Sequence, residues 1–261
     1  MDFRKALCYA GLLQNYCPAE RYPSDLCRFL GRGNAPCTLG TCYDQRRCPV
    51  SFDLEEFAAV CQVKSPDIFV QRCEKLRLLL EETNKFVNLT RITGKEEFDL
   101  KHAADSLVIA RFFPEITSGE YEVADLGCGA GFPSLILALA YPGLKITAID
   151  STLKKLKFVD NAAQALGLTN LKTVHGRVEE LNKQDSFRNR FDFVVARAVA
   201  ESPILAKAAS GFPKKGGRFV FYKTPGQAAE ELPVLKAKWQ MTAPFELPGC
   251  GERVMVYSEK K

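Results

Sequence analysis

No apolar run in the 261-residue chain reaches the roughly 18 residues of a membrane-spanning helix. The N-terminus lacks the charged-then-apolar pattern of a secretory signal. Together these absences set aside membrane and secreted classes, and a cytoplasmic protein is expected. Internal repeats and low-complexity tracts are also missing. Nor is there a large surplus of one charge: 36 Lys and Arg face 31 Asp and Glu, a formal net charge of +5. Residues 1–60 balance at seven basic and seven acidic, so the excess lies in residues 61–261, where 29 basic face 24 acidic side chains. Such a balance permits contact with nucleic acid without requiring it, since most charges form a solvated face.

Ten cysteines are present, but the paired C-x2-C knuckles of a convincing zinc site are not. Six of them, Cys8, Cys17, Cys27, Cys37, Cys42 and Cys48, crowd the first fifty residues. Without a secretory pattern, thiols are more often free or metal-bound than paired in disulfides. Cys27, Cys37, Cys42 and Cys48 could hold a metal or an iron–sulfur cluster. The preferred alternative is a thiol-rich extension, and no metal is assigned. Pro18, Pro23, Pro36 and Pro49, with Gly31, Gly33 and Gly40, argue for turns rather than long helices there.

What the chain does have is Tyr121-Glu-Val-Ala-Asp-Leu-Gly-Cys-Gly-Ala-Gly-Phe-Pro133, followed by Leu144-Lys-Ile-Thr-Ala-Ile-Asp150. A short apolar run reads as a buried strand. Gly127, Gly129 and Gly131 make a tight turn, and Pro133 suits the first turn of a helix. Phe132 stands where a dinucleotide fingerprint would place a third glycine or an alanine. Asp125 would repel a pyrophosphate but suits an ammonium or sulfonium, while the turn amides favour a carboxylate. S-adenosylmethionine carries both signs and is preferred over NAD. Asp150, at the end of the second strand, is placed to accept hydrogen bonds from two ribose hydroxyls.

The rest of the chain fits around this unit. One full α/β domain with a large core and a smaller extension is expected: residues 1–50 form the extension, 51–115 a helical lead and 116–261 the sheet core. In the lead, Asp53-Leu-Glu-Glu-Phe57 opens one helix. Ser65 caps a second whose Phe69, Cys73, Leu76 and Leu80 make one apolar stripe. A third runs from about Glu96 to Phe113 and carries His102 and Asp105. Strands are expected at 121–126, 144–149, 171–175, 191–196, 217–222 and 253–257. The helix after the second strand has Leu153, Leu156, Val159, Ala163 and Leu166 inward. Regular βα alternation means a doubly wound, mostly parallel sheet. Residues 239–245 and 252–258 read as a terminal antiparallel hairpin, an ending that class I methyltransferases show.

From about Asn84 onward the chain resembles the RsmG or GidB family, bacterial methyltransferases of guanine N7 in 16S ribosomal RNA. The resemblance rests on Asn84-Lys-Phe-Val-Asn-Leu-Thr90, His102 with Asp105-Ser106, the turn at 125–133, and Asp150-Ser151 with Lys154 and Lys155. It continues through Gly176-Arg-Val-Glu-Glu180, Phe193-Val-Val-Ala-Arg-Ala198, Phe221-Tyr-Lys223 and Gly251-Glu-Arg-Val-Met-Val256. It implies that Gly127 and Phe132 hold the methionine part of the cofactor, that Val178 and Glu179 hold the adenine, and that Arg197 lies by cofactor and base. Ser134 and Thr224 stand where the family commonly has glycine, and Ala103-Ala104 replaces a bulkier pair.

The implied partner is 16S ribosomal RNA or the small ribosomal subunit, bound by a monomer. Arg197 and Lys223 at neighbouring strand ends are the candidate catalytic cations. Lys154, Arg177, Lys223 and Arg253 are candidates for RNA contact. Guanine N7 has a free lone pair and needs no general base. Accordingly, Ala196-Arg-Ala-Val-Ala200 replaces the N-P-P-Y turn of amine-methylating adenine enzymes, and no Pro-Cys nucleophile is present. Two other readings stay open: a class I methyltransferase acting on a small molecule or protein, and a non-catalytic RNA- or metal-binding protein on the same scaffold.

Overall fold

The computed structural model describes residues 52–92, 94–235 and 238–261. The expectations for Cys27, Cys37, Cys42 and Cys48 lie outside them. Leu54–Lys261 forms one compact unit. None of its described helices is long and apolar enough to cross a membrane.

The lead begins with α1 (Leu54–Val60) and α2 (Pro66–Asn84). Phe69, Cys73, Leu76 and Leu80 are the buried stripe of α2, as their spacing predicts. Pro66 starts the helix, but the Ser65 side chain makes no capping hydrogen bond. The polar side of α2 grips another helix end instead. Arg72 and Lys75 donate to the Leu166 and Ala165 carbonyls at 2.5 and 2.6 Å, at the C-terminus of α7 (Leu153–Ala165), where a helix presents unpaired carbonyls and partial negative charge.

The expected third helix is broken into α3 (Lys95–Phe98), a π-helical turn (Asp99–Ala104), α4 (Asp105–Leu107) and α5 (Ile109–Phe112). In the wide turn the Asp105 N–H reaches back five residues to the Leu100 carbonyl. Ala103 and Ala104 are fully buried there.

The sheet core follows as β1 (Glu122–Leu126), α6 (Ser134–Ala140), β2 (Lys145–Asp150), α7, β3 (Leu171–His175), α8 (Val178–Leu181), β4 (Phe191–Arg197), α9 (Ser202–Ala208), β5 (Pro213–Lys223), α10 (Pro225–Glu231), β6 (Gln240–Met241), β7 (Phe245–Leu247) and β8 (Gly251–Glu259). Strand order is 3-2-1-4-5-8-6. The first five strands run parallel and β8 is antiparallel to β5. Every residue of α6 is buried, as expected of a helix that is apolar all round. In α7, Leu156, Val159, Ala163 and Leu166 are buried, but Leu153, in the first turn, is 49% exposed.

The terminal hairpin differs from its expected form. Its outer strand is two pieces, β6 and β7, both paired to β8. Gln240 faces Tyr257 and Met241 faces Val256, whereas Phe245 faces Arg253, a slip of one residue. A bulge that includes Pro244 explains it, because proline cannot donate to a ladder and is tolerated at an edge.

Candidate active site

Parallel strands bring their carboxyl ends to one edge, and the order reverses between β1 and β4. There a crevice opens, as doubly wound sheets require. Its cleft measures about 840 Å³. The turn after β1 lines it, with Gly127 and Gly129 at φ 68° and 57°. A Cβ on Gly127 would come within 2.8 Å of the Val199 side chain. One on Gly129 would meet nothing nearer than the Gly127 carbonyl at 4.0 Å, so it would fill open cleft space. Only glycine suits both positions.

Asp150 faces this turn from β2, only 8% exposed. Its carboxylate accepts from the Gly129 N–H at 2.9 Å and the Thr152 N–H at 2.7 Å. Asp125 lies beneath the turn and is not part of the cleft wall. One of its oxygens accepts from the Ser134 N–H at 3.2 Å and hydroxyl at 2.5 Å, which gives the serine at this position a role. The other oxygen is buried with no partner. Burial pushes the Asp125 pKa up to about 6, partly offset by the Ser134 bonds.

The opposite wall is built on Asp105. Its two oxygens each take one arginine at 2.8 Å: Arg197 from the end of β4, and Arg253 from β8. Arg197 also donates to the Lys101 carbonyl at 2.7 Å and lies 3.3 Å from His102 Nδ1. The arginine can only donate, so His102 Nδ1 accepts and the ring proton sits on Nε2, 3.3 Å from Thr90 Oγ1. Burial, then the charges of Arg197 and Lys101, push the His102 pKa down to about 3. Its neutral ring stacks on Phe132 at 4.0 Å and 9°, and the Arg197 guanidinium lies 5.8 Å from the same ring.

The cleft therefore gathers Gly127, Gly129, Phe132, Asp150, Arg177, Val178, Glu179, Arg197 and Arg253 from the expected set. Lys154 is exposed and lies off the wall, which its neighbour Lys155 joins instead. Lys223 is not on the wall either, being buried against Glu231 at 2.7 Å. Arg197 pairs with Asp105, an acid of the helical lead 92 residues away. His102 and Thr90 join the site across a fold distance the sequence does not display. The only signal for them was their place in shared motifs. Among the described residues no group of three or more His, Cys, Asp or Glu converges as a metal site would.

A parallel sheet closed by an antiparallel strand, with a glycine turn after β1 bonded to the acid that ends β2 beside the switch point, makes this a class I methyltransferase, a class that uses S-adenosylmethionine. Comparison with known proteins is more specific. The family model for GidB, rRNA small subunit methyltransferase G, matches residues 70–253, and the chain belongs to that family. It is 38% identical over 200 residues to the ribosomal RNA small subunit methyltransferase G of Leuconostoc mesenteroides, covering 74% of this chain and 83% of that one. Against the protein of that name from Limosilactobacillus reuteri it is 41% identical over 181 residues, 67% and 75% of the two chains. Against that from Lactococcus lactis the identity is 37% over 206 residues, 76% and 86%. Among solved structures it is similar to a precorrin-6y C5,15-methyltransferase from Geobacter metallireducens, at 12% identity and TM-score 0.47 over 68% of this chain and 95% of that one. The strand order, not this distant likeness, defines the fold.

Proposed function

We propose that this protein transfers a methyl group from S-adenosylmethionine to N7 of a guanine in 16S ribosomal RNA. The observation that carries the reading is the sharing of Asp105 between Arg197 and Arg253. One carboxylate against two guanidiniums leaves net positive charge on this wall, and with an arginine on each oxygen Asp105 is not free to act as a base.

The residues present fit the cofactor. Open space over Gly129 admits a ligand close to the backbone, and Asp150 is an acceptor fixed in place by two N–H groups. Gly127, Gly129 and Phe132 would hold the methionine part, Asp150 the ribose, and Val178 and Glu179 the adenine. Asp125 acts from below, through Ser134 and the helix that starts there. When bound, the cofactor supplies an electrophilic methyl group.

The chain's own contribution is orientation and charge. Arg197 is locked by Asp105, the Lys101 carbonyl and His102, so its cation is preorganised to hold guanine O6 or a phosphate. Arg177, Lys155 and Arg253 extend the positive wall for the RNA backbone. His102 is a poor base, because its Nδ1 lone pair faces Arg197. Cys128 lies in the cofactor turn, and burial holds its thiol far above the ordinary range, so no thiolate nucleophile forms. A nitrogen with its own lone pair is the acceptor such a site suits. Glycine turn, acid and cations all lie within one chain, so the cleft is complete without a residue from a second copy.

The test is to incubate 16S ribosomal RNA and small subunits with methyl-labelled cofactor and map the product. The expected label lies on a single guanine that has become sensitive to N7-specific strand scission. Label on protein, on a small molecule or at another base atom would sink the reading.

A further inference from the structure

Lys223 and Glu231 form a buried ion pair outside the cleft, each 8% exposed. Lys223 ends β5 and Glu231 ends α10, and both reach to the segment that joins β4 to α9. Lys223 donates to Glu231 at 2.7 Å and to the Ala200 carbonyl at 2.9 Å. Glu231 accepts from the Ser202 N–H at 2.9 Å and from the Ser202 hydroxyl. The hydrogen bonds described between this loop and the rest of the protein at Ala200 and Ser202 all come from the pair.

The loop needs such support. It opens at Ala198 with φ 54°, a conformation rarely adopted by a residue with a side chain and kept only where surroundings enforce it. Its next residue, Val199, leans over the glycine turn, within 2.8 Å of where a Gly127 Cβ would stand. Residues 198–200 belong to the cleft wall. Two backbone groups of opposite polarity have to be held, a carbonyl and an amide. A cation meets the first and an anion the second, and the two charges compensate each other in the dry interior. An apolar pair of equal volume would be as stable or more so, but could hold neither group.

We propose that Lys223 and Glu231 are positioning residues that pin the loop 198–202 against the glycine turn, and so set the cleft wall without touching the substrate. This rests on the methyl-transfer reading above. It gives Lys223 a different task from the strand-end cation expected from sequence.

The test uses the full chain with Lys223→Met, Glu231→Gln and the double variant. Amide hydrogen exchange is followed at 198–205, alongside turnover and RNA affinity at two salt concentrations. Each single variant should speed exchange at 198–202 by about tenfold or more while leaving α2 unchanged. Turnover number should fall by about tenfold, KM for RNA should stay within about twofold, and the double should be no worse than the more severe single, because the two act as one unit. Unchanged exchange in Glu231→Gln would overturn the proposal. So would a Lys223→Met variant that alone raises KM and lowers the salt slope of RNA affinity by about one, the mark of a lost phosphate contact. If Lys223→Met does not fold, exchange in the isosteric Glu231→Gln variant decides by itself. If the wild-type protein transfers no methyl group to RNA, the proposed function fails while the exchange result still judges the pair.

Discussion

Asp150 and His102 show how single side chains at this site are set by what surrounds them. Asp150 is held by two N–H groups of its own crevice, so it meets a ribose with little reorganisation. Removing a charged acceptor of this kind costs roughly 1–3 kcal/mol. Asp150→Ala should therefore weaken cofactor binding by about that amount in titration calorimetry. His102 gives a prediction in pH. Its folded value of about 3 lies below the ordinary 6.5, first through burial and then through Arg197 and Lys101. Between pH 6.5 and about 3 the unfolded chain takes up a proton that the folded chain refuses, so acid lowers stability across that window. Asp125, raised from 3.8 to about 6 mainly by burial, has the opposite sign: the stability it contributes at low pH is lost as pH rises through 6. Comparing wild type with His102→Asn cancels Asp125. Between pH 7 and pH 5 the wild type should lose about 2 kcal/mol more than the variant in denaturant unfolding.

Elements recognisable from local pattern formed where expected, and those that depend on distant partners did not. The stripe of α2 and the strand, glycine turn and acid of β1 and β2 are written in short-range spacing. The π turn at Asp99–Ala104 is not, because its shape meets an arginine 92 residues away, through the Arg197–Asp105 bond. The split of β6 from β7 likewise answers to register along β8. Strand-end position alone would put Lys223 in the crevice, but α10 begins two residues later and returns Glu231 to it. Thr224 explains part of that return. It caps α10 in a reciprocal box with Gln227: the Thr224 side chain accepts from the Gln227 N–H at 3.3 Å, and the Gln227 side chain accepts from the Thr224 N–H at 3.0 Å. Thr224→Ala should cost about 1 kcal/mol in thermal or urea unfolding, and Thr224→Gly only a few tenths. Unchanged stability in Thr224→Ala would mean that the Thr224 side chain contributes nothing to the cap.

At the scale of the whole molecule, the described sheet and cleft belong to the unit Leu54–Lys261. That unit owns all the strands of the described sheet, and every residue lining the cleft lies between Leu89 and Arg253. The family match covers residues 70–253. A core of this size buries enough apolar surface to fold without help from an extension, and all the side chains proposed to hold cofactor or RNA belong to it. The Cys-rich first fifty residues should then be dispensable for methyl transfer. If instead Cys27, Cys37, Cys42 and Cys48 bound a metal, that binding would supply folding energy to a segment rich in proline and glycine. A chain starting at Ser51 should melt within a few degrees of the full-length protein, since a loss of about 1 kcal/mol moves a domain of this length by roughly 2–4 °C. It should bind the cofactor with unchanged affinity and keep its turnover on RNA. Stoichiometric zinc or iron in the full-length protein, with activity lost on truncation, would reverse the assignment and make the extension part of the working enzyme.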